Sequence, residues 1–202
     1  MDVPVPAPSQ CVVGLTIPLP EPWATQVRLV RAGVGDPLAR VVPPHVTLLP
    51  PTAVEREGMP AIAEHVERVA AATAPFVLRA RGVGTFRPVS PVVYVALTAG
   101  APQCDALQRV LRVRGGPLAT VLRFPFHPHI TLAHEVDDAA LDMAAREGAD
   151  IDASFVVERI HLHRLAEDGT WQLLAAPALV GAGEPPAPGI DPEPRGADVV
   201  GP

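Results

Sequence analysis

The 202-residue sequence contains no lysine; all 16 basic residues are arginine, which with abundant Ala, Val, Pro and Gly points to a GC-rich genome rather than to an activity. Cys11 and Cys104 are too few for a disulfide framework, and each lies in an apolar or helical context that suits a buried, inert thiol. No stretch approaches the roughly 18 consecutive apolar residues of a membrane-spanning helix. The opening MDVPVPAPSQ has neither the basic start nor the apolar core of a secretory signal. A cytoplasmic protein that needs no membrane is the expectation. The net charge of −6 argues against a chain that wraps long nucleic acid.

With 48% apolar residues, the length suits one substantial core or two closely packed lobes. Residues 1–10 and 181–202 combine Pro, Gly and polar residues with too little apolar content to offset ordering entropy, so both are expected to be disordered tails. Charge is unevenly spread. Residues 75–126 hold seven arginines against the single acid Asp105, whereas residues 133–202 hold fourteen acids and four arginines. Two solvated faces or an anion-binding cleft would each produce that split.

Between the tails, residues 11–19 (CVVGLTIPL) predict a strand closed by prolines. Trp23, Val27 and Val30 recur at the spacing of one helix face. HVTLL, 45–49, reads as a short strand bracketed by prolines. A second helix follows, with Pro60 in its first turn and Ile62, Val66 and Val69 on one face. Residues 76–86 then predict a strand. The order repeats: strand 92–98, helix 102–112 with Cys104, Leu107 and Leu111 aligned, strand 129–134 and helix 137–148. SFVVERIHLHRL and TWQLLAAPALV predict a closing hairpin around the turn at 166–169. The expectation is therefore an α+β fold of duplicated, bilobal plan. Its lobes span about 11–86 and 91–180, with two antiparallel-rich sheets and flanking helices around a central cleft.

The duplication gives weight to two short motifs, PPHVTLLPP and HPHITLAHE, which share Pro-His-(Val/Ile)-Thr-Leu 84 positions apart. In a strand, residues i and i+2 share a face. His45 therefore stands beside Thr47 and His129 beside Thr131, each pair backed by apolar anchors. One imidazole can take a proton from an attacking water or hydroxyl while the other gives one to the leaving oxygen. Threonine hydroxyls can donate to non-bridging phosphate oxygens. This chemistry asks for no metal and no cofactor. A single His-x-Thr is usually a half-buried histidine beside a β-former; two in equivalent elements are much harder to explain that way.

From about residue 11 to residue 180 the chain resembles the two-histidine phosphoesterase superfamily, and within it the LigT-like 2′-5′ RNA ligase and cyclic phosphodiesterase branch. PHVTL, PHITL and RGVGTFRPVSPVVYVAL carry the resemblance. It implies a bilobal α+β fold, His45 and His129 as the catalytic pair, and Thr47 and Thr131 as substrate-binding hydroxyls. It also implies opening of 2′,3′-cyclic phosphates at an RNA terminus or on a small nucleotide, or joining of RNA ends through a 2′-5′ bond. Many relatives have Ala-Arg after the second motif, where this chain has Ala133-His134; the RNA-steering role of that arginine does not carry over.

Other signals are weaker. His127 with His129, and His161 with His163, have a spacing found in some metal sites but lack an adjoining Cys or carboxylate cluster. The second pair fits one face of a strand. Phe86, Arg87, Arg123 and Phe126 are candidates for holding a nucleotide by stacking and phosphate pairing. The phenylalanines fit the core equally well. A non-catalytic module binding nucleotides or RNA ends is the alternative from another class, and intact His and Thr at all four motif positions argue against it. A monomer is expected, with no obligate protein partner.

Overall fold

The computed structural model describes residues 3–122 and 124–182. Apolar alternation builds the first strand, β1 (Gln10–Pro18), which buries Val13, Leu15 and Ile17 on one face and leaves Thr16 on the other. The period then lengthens to that of a helix, α1 (Trp23–Gly33), whose Val27 is fully buried. β2 (His45–Glu55), a 3-10 turn (Arg56–Gly58) and α2 (Met59–Ala72) follow. Next come β3 (Phe76–Thr85), β4 (Val92–Ala99), α3 (Ala101–Leu111), β5 (His129–His134) and α4 (Asp138–Glu147). The chain finishes with β6 (Asp152–Val157), β7 (His161–Leu165) and β8 (Trp171–Ala175). The helix faces read from sequence are buried: Ile62, Val66 and Val69 in α2; Cys104, Leu107 and Leu111 in α3.

The strands form one open antiparallel sheet in the order β6-β3-β4-β5-β2-β1-β7-β8. The two expected sheets are thus two four-stranded halves of one, joined between β2 and β5 through the single pair Val46–Ile130. Prolines limit this join. Pro43 and Pro44 precede β2 and Pro128 precedes β5, and none has the N–H that a longer ladder needs. Helices brace it from the core side: α1 and α4 pack on β5, and α3 on both β2 and β4.

The halves of the sheet do not follow the halves of the chain. β3 pairs with β4 and β6, while β7 returns to pair with β1 and carries β8 with it. SFVVERIHLHRL is therefore two strands rather than one, separated by Glu158, Arg159 and Ile160 as the chain crosses between the halves. Order begins before Cys11. Arg56 N donates to the Ser9 carbonyl at 2.9 Å and Gln10 N to the Ala7 carbonyl at 2.8 Å. The expected C-terminal tail lies, from residue 183 onward, outside the described residues.

Three of the seven arginines of residues 75–126 pair with acids from the segment that follows, and a fourth with the acid of its own segment. Arg79 and Arg81 reach Asp152, Arg87 reaches Asp138 and Asp142, and Arg109 pairs with Asp105 within α3. The charge split in the sequence thus builds pairs between elements. These are mostly exposed pairs, each worth under about 1 kcal/mol.

Candidate active site

His45 and His129 open β2 and β5, and both strands show the same alternation: His and Thr half-buried, Val46, Leu48, Ile130 and Leu132 in the core. An antiparallel pair has a local two-fold axis normal to the sheet. Here that axis passes between Val46 and Ile130, the residues that join the halves. Continuing the register by one residue each way sets His45 across from Thr131 and Thr47 across from His129. All four side chains leave the same face, opposite the core. The histidines occupy one diagonal, and such diagonal neighbours stand roughly 7–8 Å apart in an antiparallel sheet. The facing pairs expected from the duplication are thereby brought together.

Each imidazole is held alike. His45 Nδ1 lies 2.7 Å from the Pro43 carbonyl, and His129 Nδ1 lies 2.7 Å from the His127 carbonyl. A carbonyl only accepts, so Nδ1 donates in both rings and Nε2 keeps the lone pair. Burial pushes the pKa of His45 down to about 4, against the opposing effect of its bond to Pro43, and the positive charges of Arg31, His163 and His129 add to the depression. Burial also lowers His129, against the opposing effect of its bond to the His127 carbonyl.

The surroundings of the two differ. His129 sits among rings: Phe86 is edge-on to it with centroids 5.0 Å apart, Tyr94 is 5.1 Å away, and His127 contacts both Phe86 and Tyr94. Tyr94, the only tyrosine, pairs with Thr131 on one side and Gly84 on the other. A β-carbon at Gly84 would fall 2.5 Å from Tyr94 Cζ, so the glycine makes room for the ring. On the β1 side, Thr16 pairs with both Thr47 and His161, and His163 pairs with Gly14. Sequence reasoning missed Tyr94 and Thr16; the shared register with the motif strands was the signal for both.

The remaining candidates separate. Phe86 contacts His129, whereas Phe126 packs against the core. Arg87 is held by Asp138 at 3.2 Å and Asp142 at 2.7 Å, so it anchors α4. Arg123 lies outside the described residues. His161 and His163 contact each other with centroids 5.6 Å apart. A bulge in β5 between Thr131 and Ala133 turns Ala133 into the core, and His134 pairs with Val92 at the end of the strand.

Residues 18–169 match the family model of the 2′-5′ RNA ligase superfamily. The chain belongs to that superfamily. A Bacillus cereus (strain G9842) protein with a provisional phosphoesterase name is 31% identical over 138 residues, covering 67% of this chain and 78% of the relative. A Bacillus cytotoxicus protein with the same kind of name is 31% identical over 140 residues, covering 68% and 80%. Among solved structures, Escherichia coli LigT complexed with 3′-AMP superposes with a TM-score of 0.63 at 23% identity, over 84% of this chain and 98% of LigT. A Thermus thermophilus protein, TT0787, gives 0.58 at 24% identity, over 85% and 100%. At these identities the structures establish the shared fold. The family model and the curated phosphoesterase relatives together support an enzyme of the phosphoesterase and RNA-ligase kind. Among the described residues no helix is long and apolar enough to cross a membrane.

Proposed function

We propose that the chain is a metal-independent phosphodiesterase that opens 2′,3′-cyclic phosphates at RNA ends or on small nucleotides. The observation that carries this reading is the diagonal placement of two Nδ1-anchored imidazoles about the Val46–Ile130 pair, each with a threonine across from it. His45, the more strongly depressed, is neutral near pH 7 and takes the proton from water. The water oxygen bonds to phosphorus, the bond from phosphorus to one ribose oxygen breaks, and protonated His129 delivers its proton to that oxygen. The bound phosphate anion favours the charged form of His129 and so offsets its burial. Thr47 and Thr131 donate to the non-bridging oxygens. Phe86 and Tyr94 offer a ring surface for the base. Solved complexes of LigT with 3′-AMP, NADP+ and ATP support a nucleotide as the ligand class.

The test is turnover of 2′,3′-cyclic nucleotides, cyclic-phosphate oligonucleotides and ADP-ribose cyclic phosphate by the wild type and by His45→Ala and His129→Ala. Each substitution is expected to lower kcat by about 10²–10⁴-fold with the circular dichroism spectrum unchanged. Full activity in both variants would overturn the proposal. The superfamily also includes ligases, in which a 5′-hydroxyl replaces water at the same phosphorus. Incubating cyclic-phosphate RNA with 5′-hydroxyl RNA and separating opened from joined product distinguishes the two.

A further inference from the structure

A buried ion pair that the acid-base scheme leaves unused joins the last turn of α1 to the loop before β2. Arg31 and Asp36 are each only 5% exposed. Arg31 Nε donates to Asp36 Oδ2 at 2.9 Å, and Nη1 donates to the Val42 carbonyl at 2.8 Å. Asp36 Oδ1 accepts from Leu38 N at 2.8 Å, and Val42 N donates to the Leu38 carbonyl at 2.9 Å. One guanidinium therefore ties the end of α1 to the residue immediately before Pro43. The Pro43 carbonyl accepts from His45, and the Pro44 carbonyl accepts from Leu19 N at 3.1 Å. An apolar pair of similar volume would hold a loop at least as stably as a buried ion pair. It would not supply a donor aimed at the Val42 carbonyl.

We propose that Arg31, held by Asp36, is a positioning residue for His45: it fixes the Val42–Pro44 backbone so that the Pro43 carbonyl keeps the ring in its Nδ1–H tautomer with Nε2 free. The catalytic importance of this placement rests on the reading of His45 as the base; the placement itself does not. Charge acts in the same direction. Arg31 from α1, His163 from β7 and His129 from β5 all disfavour a positive His45 ring. His134 is lowered chiefly by burial, with Glu135 and Asp36 opposing and Arg31 adding a smaller depression. Removing the guanidinium lets His45 protonate at higher pH.

The test is ¹⁵N NMR of the imidazoles in the full chain. It compares wild type, Arg31→Lys, and the double variant Arg31→Met with Asp36→Leu, which leaves neither charge buried alone. In a double variant shown to be folded by circular dichroism, His45 is expected to populate both tautomers and to titrate at higher pH. On a cyclic nucleotide, kcat should fall on the order of tenfold with KM little changed, and the acid limb of the pH profile should move upward. Arg31→Lys should restore the titration midpoint but not the single tautomer, because an ammonium lacks the fork that reaches Asp36 and Val42 together. An unchanged His45 tautomer and midpoint in the folded double variant overturns the proposal. The NMR measurements decide the positioning role even if no cyclic phosphate is turned over, an outcome that would count against the acid-base reading alone.

Discussion

At the scale of single residues, near-symmetry about one backbone pair coexists with unequal surroundings. Burial leads the depression at both rings, deepest at His45, where Arg31, His163 and His129 add to it; His129 is packed among Phe86, Tyr94 and His127. Two chemically identical groups thereby acquire different proton affinities, the condition for one to act as base and the other as acid. Tyr94 holds its place because Gly84 has no side chain. A methyl at that position meets a ring already confined by Phe86 and His127. Gly84→Ala is expected to cost about 1–3 kcal/mol, read as a lowered urea midpoint, with reduced turnover as Tyr94 is pushed toward His129. An unchanged midpoint would show that the ring moves freely.

At the scale of elements, α4 depends on a cap as well as on its buried face. Asp137 Oδ1 accepts from Ala140 N at 2.8 Å at the helix start. Asp137→Ala should lower stability by about 1 kcal/mol, measured by urea unfolding, while leaving the β7–β8 hairpin untouched. The helix faces were legible in sequence because each rests on local spacing, whereas the expected helix began at Asp137, which caps it from outside. β5 was legible to the residue. The end of β2 was not: proline at 50 and 51 reads as a stop, yet the strand continues to Glu55. Gly14 alone faces those two prolines between the pairs Val13–Thr52 and Leu15–Leu49, so the N–H groups that proline lacks fall at a bulge. The Arg31–Asp36 pair was hidden for another reason. An arginine on a helix and an aspartate in a loop reveal their contact only once the helix is packed against the sheet. The His-Thr pairs were readable because a period of two needs no tertiary information.

At the scale of the whole molecule, five half-buried histidines bear on acid stability. His45, His129, His134, His161 and His163 all have lowered pKa values, with burial the leading cause in each. A histidine that resists protonation when folded but not when unfolded imposes no penalty above its unfolded value of 6.5, and its penalty grows as pH falls toward the folded value. Urea midpoints should therefore decline steadily from about pH 6.5 to about pH 4. His45→Ala should flatten the slope, and an equal slope in that variant would locate the effect elsewhere.

The exchange of strands between chain halves bears on what can be cut. A break at the turn between β3 and β4 leaves an N-terminal piece holding β3 without either neighbour, and a C-terminal piece holding β7 and β8 without β1. Neither piece can complete a sheet, although the sequence repeats its plan on each side. Residues 1–88 and 89–202 produced separately are expected to be unfolded by circular dichroism, and to regain native spectrum and activity when mixed. Two pieces that each fold alone would contradict this. A chain cut at that turn is on this expectation a pair of interlocked fragments rather than two modules in series, suited to use as a split reporter whose signal requires both parts to meet.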